Sequence, residues 1–589
     1  MCGLVAAIGP DHDVAAGMTG LEAALAHMRR RGPDAAHLHS GPGFALGGAR
    51  LRIRAPTPRA DLPYGDGTGR HVAFNGEIFN AAELRRELSP ASPPWRTGCE
   101  AEILLAAYRR WGDDFAQRLE GQFAIAIHDR ARRALILARD RFGICPLFVA
   151  RMGETTIAAS SLRAILAGFG AAFAHLDRDG VTEYLVMRYP LAPRTVIAGI
   201  EQLEPGHLAV CATGQVTARR YWSLPAPPAT APSRGAAEAQ LGRAIEAAVA
   251  GNCQSDRPIG LFLSGGLDST IVATLAAARL PRHTPAVTLD LPGSASEIAP
   301  ASAVAARLGL RHIVVSPDET SIAAAIPATI DALDTPNGAR DALAVLLLAR
   351  AMKAHAPDVR SILTGTGADE LFGGYRNAYF GPSCGTFGEQ LSHYVTCYAA
   401  TSPGERDVLW TLVGPAALEA IAARMRATMA GMMPWLDAGH PQRLLNAFYL
   451  AGHLAGWELP LADQLCMAQS LEPRVPLLDT RVATLAMHHA AADARPNRDK
   501  PLLRRAARAW LPRADRQRPK LPLSRGMAPV IAHSAPFRDW RPTRLPADLA
   551  AAAGRSWSAD SGFDLRWRLF VLDRWIARHL PAAAMAAWR

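Results

Sequence analysis

Nine residues, Leu261-Phe262-Leu263-Ser264-Gly265-Gly266-Leu267-Asp268-Ser269, constrain the architecture more than any other stretch of the chain. Ile259–Leu263 is a short apolar run of the kind that forms a buried strand, the glycine pair is a turn signal, and Ser269–Ala278 carries helical spacing. The pattern continues downstream. Strands are expected at Ala286–Leu289 and His312–Val315 with the helix Ala299–Leu308 between them, and Ser361–Thr364 is a further strand in an otherwise helical stretch that begins near Ala342. Such alternation implies a parallel sheet covered by helices. Glycines let the backbone approach a ligand closely, and a helix N-terminus flanked by the Ser264 and Ser269 hydroxyls favours an anion.

Upstream the texture differs. Phe44–Leu46, His71–Phe74, Gln122–Ile127 and Ala134–Ala138 read as strands, Ala82–Leu88 and Ala101–Trp111 as helices, and strands continue to about Tyr221, as at Leu208–Ala212. A proline-rich stretch over 225–235 has no core-forming residues and reads as a linker. The expected organisation is a β-rich domain over 1–224, a linker over 225–236, and an α/β domain with a helical C-terminal extension over 237–589. A chain of 589 residues is long enough to require more than one core.

Composition excludes several classes. With 49% hydrophobic and 20% charged residues the balance is globular. No apolar run reaches the roughly 20 residues that span a bilayer, and no basic segment precedes an apolar one at the start, so a cytoplasmic protein without membrane contact is expected. The 8 cysteines are scattered without a CxxC pair, against both a disulfide framework and a structural zinc site. The net charge of +11 is mainly arginine, in short runs such as Arg29–Arg31 and Arg504-Arg505 that no nucleic-acid motif accompanies. It reads as arginine spread over the surface, with no nucleic-acid partner.

Cys2 becomes a terminal residue if Met1 is removed, and a terminal cysteine carries its own base in the free α-amine. It keeps particular company: Cys2-Gly3, Arg31-Gly32-Pro33-Asp34, Arg50-Leu51, Asn75-Gly76-Glu77-Ile78-Phe79-Asn80 and Arg139-Asp140-Arg141-Phe142-Gly143. In that order and spacing these resemble the class II glutamine amidotransferase domain, an N-terminal-nucleophile hydrolase of αββα fold. The resemblance implies Cys2 as nucleophile, an oxyanion hole from the Asn75 side chain and the Gly76 backbone N–H, Arg50 on the glutamine α-carboxylate, and Glu77 and Glu100 on the α-ammonium. Glu100 stands where the family usually has aspartate. Cys145 stands where it usually has lysine, and reads as a small buried residue.

The SGGLDS loop after a buried strand resembles the pyrophosphate-binding loop of the ATP-pyrophosphatase superfamily. With Gly365-Thr366-Gly367-Ala368-Asp369-Glu370, Arg474-Val475-Pro476-Leu477-Leu478-Asp479 and Lys500, it is similar to the asparagine synthetase family. The resemblance implies ATP bound by Leu263, Ser264, Gly265, Gly266, Asp268, Ser269, Thr364 and Gly365. It further implies Mg²⁺ on Asp268 and Asp369, Lys500 stabilising charge during adenylation, Arg340 near the acceptor acid, and a possible homodimer. Thr366 replaces the family's glutamate and cannot act as a base near pH 7.

Three readings follow. The first is a glutamine-hydrolysing synthetase that adenylates a small acid, aspartate first, and transfers ammonia to give the amide, AMP and pyrophosphate. The second keeps adenylation but closes a β-lactam-type or lasso-peptide ring with an internal or peptide amine, beside an accessory glutaminase. The third is a binding or regulatory relative without turnover, against which Cys2, Asp268 and Asp369 all argue.

Overall fold

The computed structural model describes residues 2–89, 94–230, 232–291, 296–375, 387–399, 403–436, 441–489, 499–520, 527–554 and 563–581. In the first half, two six-stranded antiparallel sheets lie face to face. One runs Ile200–Gln202, Phe148–Met152, Thr155–Ala159, Gly3–Ile8, Phe44–Arg50, Ala35–Gly41 from edge to edge. The other runs Gln215–Arg220, His207–Ala212, Ala134–Arg139, Gly121–Asp129, Arg70–Ile78, Tyr64–Gly65.

Gly3–Ile8 is buried at every position, so the sheet must be covered on both faces. Leu4, Ala6 and Ile8 pack between the sheets with Leu46, Ala73, Ala124 and Leu137. Val5 and Ala7 pack in the cluster that holds Leu21, from the helix Met18–His27, and Ile165, from Leu162–Phe169. On the second sheet, Phe74 and Ile125 cluster with Leu84 and Leu104 of the helices Ala81–Leu88 and Glu100–Trp111. The result is the four-layer αββα sandwich. The helices Leu162–Phe169 and Arg178–Met187 interrupt what the sequence reads as a continuous run of strands, because apolar positions recurring every three or four residues can cap a sheet from outside.

The second half is a five-stranded parallel sheet in the order Arg311–Val315, Pro285–Leu289, Ile259–Phe262, Ser361–Leu363, Glu472–Arg474. Its fifth strand is not expected from the sequence. Glu-Pro-Arg has no β-propensity, and pairing at Ser361↔Glu472 and Leu363↔Arg474 in a fully buried setting makes it a strand. From Asp341 onward the rest is helical, including the π-helix Tyr449–Glu458. No single described helix is long and apolar enough to cross a membrane.

One apolar cluster runs from Val5, Phe148 and Tyr184 of the sandwich to Leu261, Leu343 and Phe570 of the second half. Met467 packs among the residues between the two antiparallel sheets. Burying such a side chain contributes about 1.5–3 kcal/mol, so apolar packing is a large part of the docking. The first half is anchored at its end, and the described residues of 225–236 beyond it are mostly exposed. Leu224 is buried, donates from N to Met432 O (2.8 Å) and accepts from Trp435 Nε1 (2.8 Å). The helix Arg234–Asn252 begins inside the span read as linker, of which residue 231 lies outside the described residues. The expectation of surface arginine also needs correction, since Arg31, Arg139, Arg474 and Arg568 are buried.

Candidate active site

The sandwich brings its motif residues together at strand ends. Cys2 enters Gly3–Ile8, Arg50 ends Phe44–Arg50, and Asn75, Gly76 and Glu77 lie near the end of Arg70–Ile78. The Cys2 backbone N–H donates to Asn75 Oδ1 (2.8 Å), which fixes the orientation of the amide. Asn75 Nδ2 is thereby turned elsewhere, buried and without a hydrogen-bond partner. A buried donor left open in this way costs about 1–3 kcal/mol, a cost recovered when an oxyanion accepts from it. Gly76 has φ +135°, and a Cβ there would lie 1.9 Å from Gln122 O, so no other residue fits. Burial pushes the Cys2 thiol above its ordinary pKa.

The remaining motif residues are already engaged. Arg50 donates to Thr57 O (3.0 Å), Asp61 Oδ1 (2.9 Å), Arg54 O and Ala55 O (2.8 Å each), so it holds the 54–61 loop in place. Glu100 is buried and pairs with Arg54 at 3.1 Å. Glu77 lies 3.1 Å from Arg474 Nη2; burial raises its pKa well above the ordinary value, and Glu100 and Glu472 add to that against Arg474. Asp140 accepts N–H bonds from Phe123, Phe142, Ile144 and Cys145, while Arg139 donates to three carbonyls, so this motif staples the loop. Cys145 is fully buried and its thiol is pushed well up by that burial.

In the parallel sheet, the two loops meet at the C-terminal ends of adjacent central strands, where α/β sheets take their ligands. Leu263 donates from N to Val287 O (2.9 Å). Ser264 Oγ and Ser269 Oγ are 3.0 Å apart, and Gly266 N donates to Ser264 Oγ (3.2 Å), which closes the turn. At Gly365 a Cβ would sit 2.8 Å from the Asp268 Cβ, so glycine is what lets the second loop reach the first. Thr364 Oγ1 donates to Thr366 Oγ1 (3.0 Å).

Between the loops, buried Lys500 bridges both carboxylates, touching Asp268 and lying 2.7 Å from Asp369 Oδ1; Lys520 reaches the same Asp369 oxygen at 2.8 Å. Burial raises Asp268, helped by Asp369 and opposed by Lys500. Burial would raise Asp369 too, but Lys500 and Lys520 outweigh it and hold its carboxyl below the usual range. The lysine is raised, burial being overcome by the two aspartates. Lys500 adopts φ +50° (left-handed), a strained conformation for a side chain with a Cβ.

Sequence reasoning quotes Glu370 within its motif but misses the His453 and Glu458 that join it. Glu370, His453 and Glu458 bring ligand-type atoms within 4.8 Å of one another. Tyr375 Oη donates to Glu370 Oε1 (2.5 Å), His453 Nδ1 bonds the Tyr398 hydroxyl (2.8 Å), and Lys520 lies 4.2 Å over the Tyr375 ring. Burial lifts Glu370 to about 7, with Asp369 and Glu458 adding to the shift. It lifts Glu458 to about 7 as well, with Asp369 adding, and depresses His453 to about 4. The signal in the sequence is a histidine and a glutamate in an apolar helical run; π-helical spacing of five residues puts them on one face. Arg340 is half-buried, 3.6 Å from Asp564, and stacks near Phe563. Arg188 shares Asp564 at 3.5 Å.

A buried cysteine with an open amide donor on an αββα sandwich, docked to a parallel sheet with a glycine loop and paired aspartates, defines a two-centre amidotransferase. Residues 1–222 match the glutamine amidotransferase domain family and residues 240–561 the asparagine synthase family. The chain belongs to the asparagine synthetase family, and is a glutamine-hydrolysing carbon–nitrogen ligase. A Mycobacterium tuberculosis protein provisionally named a glutamine-hydrolysing asparagine synthetase is 33% identical over 577 residues, covering 88% of this chain and 87% of that protein. Glutamine-hydrolysing asparagine synthetase 1 of Bacillus subtilis is 31% identical over 357 residues, 60% of this chain and 55% of that one. Asparagine synthetase 3 of Arabidopsis thaliana is 28% identical over 402 residues, 66% and 64%. The family uses ATP.

Proposed function

We propose that this chain converts aspartate to asparagine with glutamine as nitrogen donor, releasing AMP and pyrophosphate, across domains divided at residues 225–236. The observation that carries the reading is the open, buried Asn75 Nδ2 beside Cys2, together with the orphaned buried Asp268 Oδ1 beside the glycine loop. One donor awaits a developing oxyanion and one acceptor awaits a cation, and both belong to this reaction.

At the first centre, Cys2 Sγ attacks the glutamine amide carbon while Asn75 Nδ2 and the Gly76 N–H receive the oxygen's charge; the C–N bond then breaks, ammonia leaves carrying the thiol's proton, and water hydrolyses the glutamyl thioester to glutamate and free Cys2. The thiol, pushed up by burial, needs a base, and the α-amine of a processed Cys2 is within its own residue. Glutamine's α-carboxylate displaces partners of Arg50, and Glu77 and Glu100 face its α-ammonium. At the second centre, the acceptor carboxylate attacks the α-phosphorus of ATP and pyrophosphate leaves. Asp268 and Asp369 offer the oxygen donors that Mg²⁺ takes, and the bound ion would neutralise charge on the departing pyrophosphate. Lys500 is placed for the same duty. Ammonia then displaces AMP from the acyl-adenylate, and the proton it sheds goes to Glu458 or Glu370, carboxyls poised near 7 where Thr366 has none to offer. Retention of the glutaminase centre argues against an internal amine as nucleophile.

The reading is tested by incubating the protein with amide-labelled ¹⁵N-glutamine, Mg-ATP and L-aspartate. Labelled asparagine with equimolar AMP is expected. Glutamate with neither pyrophosphate nor labelled asparagine would remove aspartate as the acceptor.

A further inference from the structure

Beside contacts from residues 256 and 257 to the 52–55 loop, the glutaminase centre is held from the other half of the chain by one segment, 463–474. Asp463 receives both Nη atoms of Arg31 (2.7 and 2.8 Å), and Arg31 Nε donates to Cys2 O (3.3 Å), with Arg31 and Asp463 both buried. Arg474, fully buried, donates to Glu472 (2.6 Å) and to Asn252 O and Gln254 O (2.7 Å each). Its Nη2 sits 3.1 Å from Glu77 yet completes no hydrogen bond. Gln122, whose carbonyl walls Gly76, donates through Nε2 to Pro473 O (3.0 Å). The same segment runs from the end of the helix Leu459–Met467 into the fifth strand of the parallel sheet, and Arg474 O accepts from Thr364 N (3.0 Å) at the start of the second nucleotide loop.

We infer that 463–474 is the element coupling the two centres, with Asp463 and Arg474 as positioning residues for glutamine hydrolysis. The inference rests on the glutaminase reading above. Asp463 acts through the Arg31 fork on the backbone of the nucleophile, and so governs the rate of attack. Arg474 acts through Glu77 on the glutamine α-ammonium. Arrival of that ammonium beside Glu77 loosens its pull on Nη2, while Glu472 keeps the guanidinium paired, so the arginine shifts without stranding a charge. Any such shift is felt at Thr364, one hydrogen bond away, and by linkage occupancy of the nucleotide loop alters glutamine affinity by the same factor.

The experiment compares full-length protein with Asp463→Asn and Arg474→Lys, each assayed for product with glutamine or with ammonium chloride as nitrogen source, and for glutamine hydrolysis with and without Mg-ATP and aspartate. Asp463→Asn should lower kcat for hydrolysis at least tenfold with little change in the KM for glutamine. Arg474→Lys should raise that KM about tenfold and erase its response to Mg-ATP, since a point charge cannot hold four partners at once. Ammonium-driven synthesis should stay within twofold in both. Thermal unfolding monitors folding, and Asp463→Glu, which keeps the charge and displaces the fork, serves the same comparison if the asparagine variant is unfolded. Equal losses with both nitrogen sources, or none with either, overturn the inference alone. Absence of glutamine hydrolysis in the unaltered protein overturns the glutaminase reading and the inference with it.

Discussion

At Cys2 the groups aimed at the developing oxyanion are neutral and backbone sets their geometry: an amide held by an N–H, a glycine pinned against Gln122 O, and a loop stapled by Asp140, with the charged Arg31–Asp463 pair behind the Cys2 carbonyl. At Asp268 and Asp369 the partners are full charges: Lys500 bridges the two carboxylates and Lys520 meets Asp369. The first centre holds a developing negative charge on one oxygen, and fixed dipoles suffice for that. The second handles a triphosphate, so it must present cations without collapsing when the ligand is absent. Lys500 does both, neutralising the aspartates and standing ready for the phosphates. The contrast predicts that the two centres fail independently in chemistry and respond differently to charge.

The largest test is Cys2→Ala, which should abolish glutamine-driven synthesis, by about 10³-fold or more, and leave ammonium-driven synthesis intact; coupled pyrophosphate release with each nitrogen source reads it. Asn75→Ala should cost about 10²–10³ in kcat for hydrolysis through loss of one oxyanion donor, again sparing ammonium-driven turnover. Lys500→Met reverses the pattern. Pyrophosphate release should fall by roughly 10²-fold or more while glutamine hydrolysis survives. If Asn75→Ala impaired both activities equally, the independence of the two centres would be lost.

The nucleotide loop is legible in the sequence because it rests on local signals, whereas those signals mark the first domain only as β-rich and its αββα fold is implied by the resemblance its motifs carry. Apolar alternation, glycine turns and strand-adjacent motifs are readable within a few residues. The strand Glu472–Arg474 was not, since its pairing comes from burial between partners more than a hundred residues away. Lys520, His453 and Glu458 escape such reading for the same reason, since the fold alone brings Lys520 to Asp369 and the other two to Glu370, a motif residue with no role assigned from the sequence. The basic run at Arg29–Arg31 misled in the opposite direction. Arg31 is an interior ion pair with Asp463, and nothing in a run of arginines distinguishes a buried fork from a solvated one. Cys145 was read correctly as buried because a small apolar residue in a charged motif has few other uses.

Smaller effects sharpen the second centre. Glu370 and Glu458 have carboxyls raised to about 7, so they keep their protons below that pH and become bases above it. Amide formation should therefore rise with pH through about 7, while His453, depressed to about 4, stays neutral throughout. Glu458→Gln should remove this limb and lower product formation by about 10²-fold at pH 8, with pyrophosphate exchange preserved, because adenylation precedes the proton transfer. A pH profile that Glu458→Gln and Glu370→Gln both leave unchanged would assign the proton to another group.

The smallest effect is expected at Arg340. Its guanidinium is about a third exposed, 3.6 Å from Asp564 and 5.7 Å from the Phe563 ring centroid, and Arg188 meets the same carboxylate at 3.5 Å. An ion pair this open contributes about 0–1 kcal/mol, so Arg340→Ala should barely move the thermal unfolding midpoint. If Arg340 contacts the acceptor's carboxylate, its loss should raise the KM for aspartate about three- to tenfold at constant kcat, since Arg188 remains to hold Asp564 and the site's positive potential. The glutamine KM should not move, because Arg340 has no part in the Cys2 centre. An unchanged KM for aspartate places the acceptor's carboxylate elsewhere and leaves Arg340 as a tether for the helix Phe563–His579.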